Sequence, residues 1–229
     1  MNDTLFNASI KFNETVKRNI TTQAPAKNAF ASLLDNDDDP RFAQLAIDCA
    51  RRHVARRDDI SDFTYTAAIE YPFKTVPYMR TRFSDGSFPV WYGSRTVQTT
   101  VFETVYHSLK SFNAIDGLAN HSPIIKKRSV YNVHCDALLI NFVGKELPYP
   151  QLISDDYQFT NELGYTIKQG GYPGVLSRAA RDPYGENISI FRQNVLSAPE
   201  LFAELSYVFD YDERKVGIYG LEEPASVNF

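Results

Sequence analysis

Apolar residues recur along this chain with two different periods, and the switch between them sets the expected elements. Phe42, Leu45, Ala46 and Cys49 fall at the three- and four-residue steps of an amphipathic helix. Asp39 is placed to cap it and Pro40 to occupy its first position, so a helix is predicted over about 40–57. Val97, Val101, Val105 and Leu109 form a second helical stripe over 96–110, and a third helix is predicted over 156–169. From residue 60 onward, short β-branched and aromatic runs alternate with turn signals: "VPYMRTRF", "FPVWY", "ALLINFV", "GVLS" and "NISIFR" are each predicted as strands. The stretch "LSYVFDYDERKVGIY" predicts a hairpin turning at Asp212 and Glu213. Residues 1–34 are weakly periodic and predict only a strand or short helix around Arg18. The mixture is that of an α+β protein: an N-terminal segment, 1–60, with its helix packed on the core, and a single globular unit over 61–229.

Composition narrows the function classes. The 229 residues are 43% hydrophobic and 14% aromatic, enough for one sizeable core, and a net charge of −4 creates no field that would draw in nucleic acid or an anionic membrane. The basic cluster Arg51, Arg52, His53, Arg56 and Arg57 reads as cations meeting the negative end of the 40–57 helix, with Asp35, Asp37, Asp38 and Asp39 at its positive end. Cys49 and Cys135 are too few and too far apart for a disulfide framework or a thiolate zinc site, and both read as buried thiols. The start carries no leader pattern and no run of about 18 apolar residues occurs, so a cytoplasmic location is expected. The Asn-x-Ser/Thr sites at Asn2, Asn7, Asn13, Asn19 and Asn187 read as chance in an Asn- and Thr-rich chain.

Candidate chemistry concentrates between residues 82 and 107. "SDGSFPVWYG" supplies a turn at Asp85-Gly86 and then a strand, Phe88 to Tyr92, closed by Gly93, so that Arg82 and Tyr92 can share one lip of a sheet. Glu103 falls on the helix face opposite the valines, beside Thr99, Thr100 and His107. An acid there is either solvated and inert or lines a pocket. There is no Gly-rich phosphate loop, no His-Glu-x-x-His and no Gly-x-Ser-x-Gly, and the histidines at 53, 107, 121 and 134 have no metal-ligand spacing. No metal is expected.

Two blocks, "MRTRFSDGSFPVWYGSRTVQTTVFETVYH" and "DDYQFTNELGYTIKQGGYPGVLSRAARDPYGENISIF", resemble the opening and closing signatures of the RES-domain family, the NAD-degrading toxins of bacterial toxin–antitoxin pairs. The resemblance implies an ADP-ribosyltransferase-like fold, a split and mostly antiparallel sheet with flanking helices and a cleft for NAD. It assigns Arg82, Tyr92 and Glu103 to catalysis and, with Arg18 matched to a further family arginine, NAD binding to Arg18 and Arg181. At the family serine this chain has Ala179, which leaves Ser177 and Thr160 as candidate hydroxyls. The implied activity is cleavage of the nicotinamide–ribose bond by water or by inorganic phosphate as co-substrate, with NAD as substrate and no cofactor. A mono-ADP-ribosyltransferase acting on a protein and an inactive nucleotide- or partner-binding relative are the alternatives. The implied partner is an Xre-type helix-turn-helix antitoxin; a homo-oligomer is compatible, and direct nucleic-acid or membrane binding is not expected.

Overall fold

The structure, a computed structural model, describes residues 3–22 and 64–229. The helix expected over about 40–57, with Cys49 and the basic cluster, lies outside the described residues. In chain order the elements are α1 (Asp3–Phe6), β1 (Ser9–Thr21), a π-helical turn (Thr66–Glu70) running into α2 (Tyr71–Lys74), β2 (Trp91–Ser94), α3 (Val97–Asn113), β3 (Ile124–Asn141), α4 (Gln158–Gln169), β4 (Gly174–Arg178), β5 (Glu186–Ile190), β6 (Leu196–Asp210), β7 (Lys215–Tyr219) and β8 (Ala225–Asn228).

These elements make an α+β protein with one eight-stranded sheet in the order β1-β2-β5-β4-β3-β6-β7-β8, in which β1 also pairs with β3. The first five strands therefore curl back on themselves. Only the β3–β4 contact is parallel; every other pairing is antiparallel. The stretch around Arg18 is a strand, and a long one: β1 runs beside β3 from Ser9↔Ile140 to Thr21↔Arg128. Its other edge is nearly free, since β1 and β2 share the single register pair Lys17↔Ser94. The sheet splays beyond that pair, and the splay makes room for the cleft described below.

Local sequence explains the elements. In β3 the alternation Val133, Cys135, Ala137, Leu139 faces a core completed by Phe12, Val16, Trp91, Leu176, Ile188 and Ile190. α3 starts where the Thr96 hydroxyl accepts the Thr99 N–H. It buries Val101 and Val105 against Tyr207, Phe209, Val216 and Ile218 of β6 and β7. Its β-branched residues are poor helix formers, and this tertiary burial outweighs their propensity. α4 packs Leu163 and Ile167 on Phe83, Phe88 and Phe142, and Gly164 lets its backbone approach the Phe83 carbonyl too closely for any Cβ.

Two predicted strands differ in the structure. "VPYMRTRF" forms only the isolated bridge Thr81↔Ser84. Val76 and Met79 are exposed and Phe83 alone is buried, so the run has no alternating apolar face to place on a sheet. Side chains satisfy its backbone instead: Asn161 Nδ2 donates to the Thr81 and Arg82 carbonyls, and the Phe83 N–H donates to the Tyr92 hydroxyl. The strand expected from Phe88 begins at Trp91 and continues through Gly93, where a Cβ would press on the Trp91 ring at 2.6 Å and the Lys17 carbonyl at 3.2 Å. The hairpin at Asp212 and Glu213 is present as β6–β7.

Candidate active site

A cleft of about 580 Å³ opens between the splayed strands and α3, a size typical of small-molecule sites. Strand register builds its floor. Tyr92 of β2 stands opposite Ser189 of β5, and Ser94 opposite Asn187, which in turn stands opposite Ser177 of β4. With side chains alternating at every residue, these five share one face, and all five line the cleft. Trp91, Leu176, Ile188 and Ile190 take the other face and are buried in the core.

The wall is the polar stripe of α3: Thr100, Glu103, Thr104 and His107 all border the cleft. Glu103 is fixed in place. Its Oε1 accepts the Ala180 N–H at 3.1 Å and Asn187 Nδ2 at 2.9 Å, and Asn187 Oδ1 accepts the Ser94 hydroxyl at 2.6 Å. Both donors address the same oxygen, so Oε2 carries no protein donor among the described residues. Partial burial lowers the His107 pKa, and the Glu103 charge one turn away works against that shift.

Arg18 enters from β1. Its Nη1 donates to the Tyr92 carbonyl at 2.7 Å, and its guanidinium lies 5.3 Å from the Trp91 ring centre. Burial, reinforced by the Arg128 charge, pulls its pKa down to about 10, and its Nε is buried with no partner among the described residues. The Tyr92 hydroxyl is turned inward: it donates to Thr81 Oγ1 at 2.9 Å and accepts the Phe83 N–H at 3.1 Å. Burial pushes this phenol up to about 12. Tyr92 therefore offers the cleft a flat ring, with its polar end engaged in holding the 81–83 segment. Arg82 sits at the rim. Its Nη1 donates to the carbonyls of Leu152 at 3.1 Å and Ser154 at 2.6 Å, and its guanidinium lies 4.8 Å from the Tyr157 ring centre.

A buried network backs α3. Asn19 Nδ2 donates to Thr100 Oγ1 and to the Tyr207 hydroxyl, which also meets Thr104 Oγ1. Arg128 donates from Nε and Nη2 to the side chain and backbone oxygens of Asn19. These bonds tie β1, β3 and β6 to the helix turn that carries Glu103.

The structure thus brings Arg18, Arg82, Tyr92, Glu103 and Ser177 to one cavity. Ser177 presents its hydroxyl there, whereas Ala179 is buried and its N–H donates to the Gly185 carbonyl. Two expected residues lie elsewhere. Thr160 is fully buried on α4 and its hydroxyl donates back to the Tyr157 carbonyl, the ordinary bond of a threonine in a first helical turn. Arg181 ion-pairs with Asp155, which also accepts the Tyr106 hydroxyl, and stacks 3.5 Å from the Tyr106 ring centre, outside the cleft lining. Asn187, Ser94 and Ser189 were not foreseen. Asn187 lies within the quoted closing block, after its Gly185 turn, which was its available signal; the two serines follow only from strand register.

A family model described as the RES domain matches residues 49–210. The chain belongs to the RES-domain family. No curated protein matches it. Among solved structures, this RES-domain protein is similar to a chain of the M. tuberculosis MbcT–MbcA toxin–antitoxin complex, with a TM-score of 0.47, 11% identity and 86% of each chain covered. No helix among the described residues of the RES-domain protein is long and apolar enough to cross a membrane.

Proposed function

We propose that this RES-domain protein cleaves the nicotinamide–ribose bond of NAD and acts as the toxin of a toxin–antitoxin pair, restrained by a helix-turn-helix antitoxin. One observation carries the reading: a carboxylate, Glu103, held by two donors at the wall of a cleft whose other sides present a buried guanidinium and a flat phenol ring.

Breaking that bond leaves positive charge on the ribose in an oxocarbenium-like transition state. A fixed carboxylate favours this state over the neutral ground-state sugar, which is how Glu103 would accelerate the step, and its unoccupied Oε2 is the atom to do it. Ala180 N–H and Asn187 hold Oε1, so little reorganisation is needed as charge develops. The Tyr92 ring suits a stacked pyridinium, Arg82 at the rim suits the diphosphate, and Arg18 supplies a second guanidinium to the same dinucleotide. Ser177 supplies a hydroxyl on the cleft floor two residues from the Ala179 position, which favours an active enzyme over an inactive relative.

The nucleophile that captures the ribosyl group is water, inorganic phosphate or a protein side chain. The cationic groups bordering the cleft, Lys17, Arg18, Arg82 and Lys110, favour a small anion. Incubating the purified protein with labelled NAD, with and without phosphate, tests the reading. Free nicotinamide with ADP-ribose or its phosphate ester is the expected result, and label retained on protein would point to a transferase. Intact NAD under both conditions, from folded protein, would overturn the proposal.

A further inference from the structure

Ser189 sits at the middle of the cleft floor and is chemically out of place. It is fully buried on β5 between Ile188 and Ile190, also fully buried, and its hydroxyl has no hydrogen-bond partner among the described residues. A buried hydroxyl left unpaired is costly, and an apolar side chain would avoid that cost. The polar groups nearest to it bond elsewhere. Asn187, two residues away on the same face, is spent on Ser94 and Glu103, and Tyr92, its cross-strand partner, has its hydroxyl turned to Thr81 and Phe83. A second unpartnered donor borders the same cavity: Nε of Arg18, whose Nη1 is anchored on the backbone oxygen of that same Tyr92. Two buried donors, Ser189 Oγ–H and Arg18 Nε–H, thus flank the residue that presents a flat ring.

We propose that Ser189, with Arg18 Nε, binds the acceptor oxygen of a planar aromatic carboxamide stacked on Tyr92, making Ser189 a specificity-determining residue for the leaving group. The inference rests on the NAD reading above and deepens it: the carboxamide of the nicotinamide ring supplies the carbonyl oxygen that both donors lack. Tyr92 contributes the apolar surface and Ser189 the polar discrimination. A site built to hydrogen-bond a substrate oxygen rejects an analogue without it, because its own buried groups are then left unpaired. Pyridine without the carboxamide should therefore bind poorly.

The experiment compares wild type with Ser189→Ala in three measurements on the full chain: thermal stability without ligand, binding of free nicotinamide, and binding of ADP-ribose. Removing an unsatisfied hydroxyl should leave the ligand-free midpoint unchanged or raised. Nicotinamide binding should weaken by about five- to tenfold, the worth of one hydrogen bond, while ADP-ribose binding stays the same. Equal nicotinamide affinity in the two proteins, or an equal loss for both ligands, would overturn the assignment while leaving NAD cleavage by the wild type intact. A wild type that neither cleaves NAD nor binds nicotinamide would instead remove the NAD reading, and this inference with it.

Discussion

Glu103 and Asn187, carried by a helix and a strand far apart in the chain, meet at 2.9 Å through one carboxylate oxygen. Asn187 is in turn held by Ser94 at 2.6 Å, so the acid is aimed by a relay that begins on β2. Glu103→Gln can still accept both of its hydrogen bonds, so the fold and the cleft should persist while the charge is lost. Turnover of NAD should fall by about 10²- to 10³-fold, the usual cost of removing one preorganised electrostatic group, with the thermal midpoint nearly unchanged. Equal turnover in the two proteins would remove Glu103 from the chemistry.

Asn187→Ala should act through the same carboxylate, as the loss of a positioning residue. The expected signature is a fall in kcat of about tenfold with KM little changed, since the asparagine touches the acid and lies outside the proposed stacking surface. A rise in KM alone would place Asn187 in substrate binding.

Arg82 has two tasks that a charge-conserving change separates. Its Nη1 holds the Leu152 and Ser154 carbonyls, and its guanidinium stacks over Tyr157 while bordering the cleft. Arg82→Lys keeps the charge and loses the planar fork, so NAD consumption should drop nearly as far as in Arg82→Ala. Proteolysis within 150–157 should also accelerate in both variants; an activity loss without that loosening would show that the carbonyl contacts contribute little.

Alkaline lability follows from two buried groups. Burial raises the Cys135 thiol from an ordinary 9.0 to about 12, with the Asp136 charge a lesser cause, and burial raises Tyr92 from 10.0 to about 12. Each pKa is higher in the folded state, so the unfolded chain releases its protons first as pH rises. Their stabilisation is complete below about pH 9 and declines between pH 9 and 12, by about 1.4 kcal/mol per pH unit for each titrating group. Urea midpoints should fall between pH 8 and pH 10, above which the depressed pKa of Arg18, about 10, acts in the opposite sense, and Cys135→Ala should flatten that fall.

Gly164 reverses a common expectation. Replacing a helical glycine by alanine usually stabilises by about 1 kcal/mol. Here the new Cβ would enter the Phe83 carbonyl, backbone that cannot swing aside. Gly164→Ala should therefore destabilise by about 1–3 kcal/mol, read from urea denaturation.

Periodicity carried the local elements well. The valine stripe placed α3 and, by difference, put Glu103 on the polar face that borders the cleft. It could not say that Thr99 and Thr100 on that face are buried, because their partners come from far along the chain, Asp182 from the β4–β5 loop and Asn19 from β1. The weak signal before residue 34 concealed the strand that supplies Arg18: outward positions in β1 are polar, and the inward run Ile10, Phe12, Val16 is interrupted by Glu14. Strand register was invisible for the same reason, and with it the roles of Ser94 and Ser189. Thr160 and Arg181 followed sequence alignment, while their side chains found nearer partners in Tyr157 and Asp155.

The pairing of β1 with β3 and of β2 with β5 has a consequence for biosynthesis. The cavity takes its guanidinium from the start of the chain and its floor hydroxyls from Ser177 and Ser189, so a ribosome must deliver nearly the whole polypeptide before any part of the pocket can close. Such distant pairings also fold slowly compared with local ones. Interrupted translation products ending before β5 would lack Asn187 and Ser189, so whatever the cleft does must wait until synthesis is almost complete.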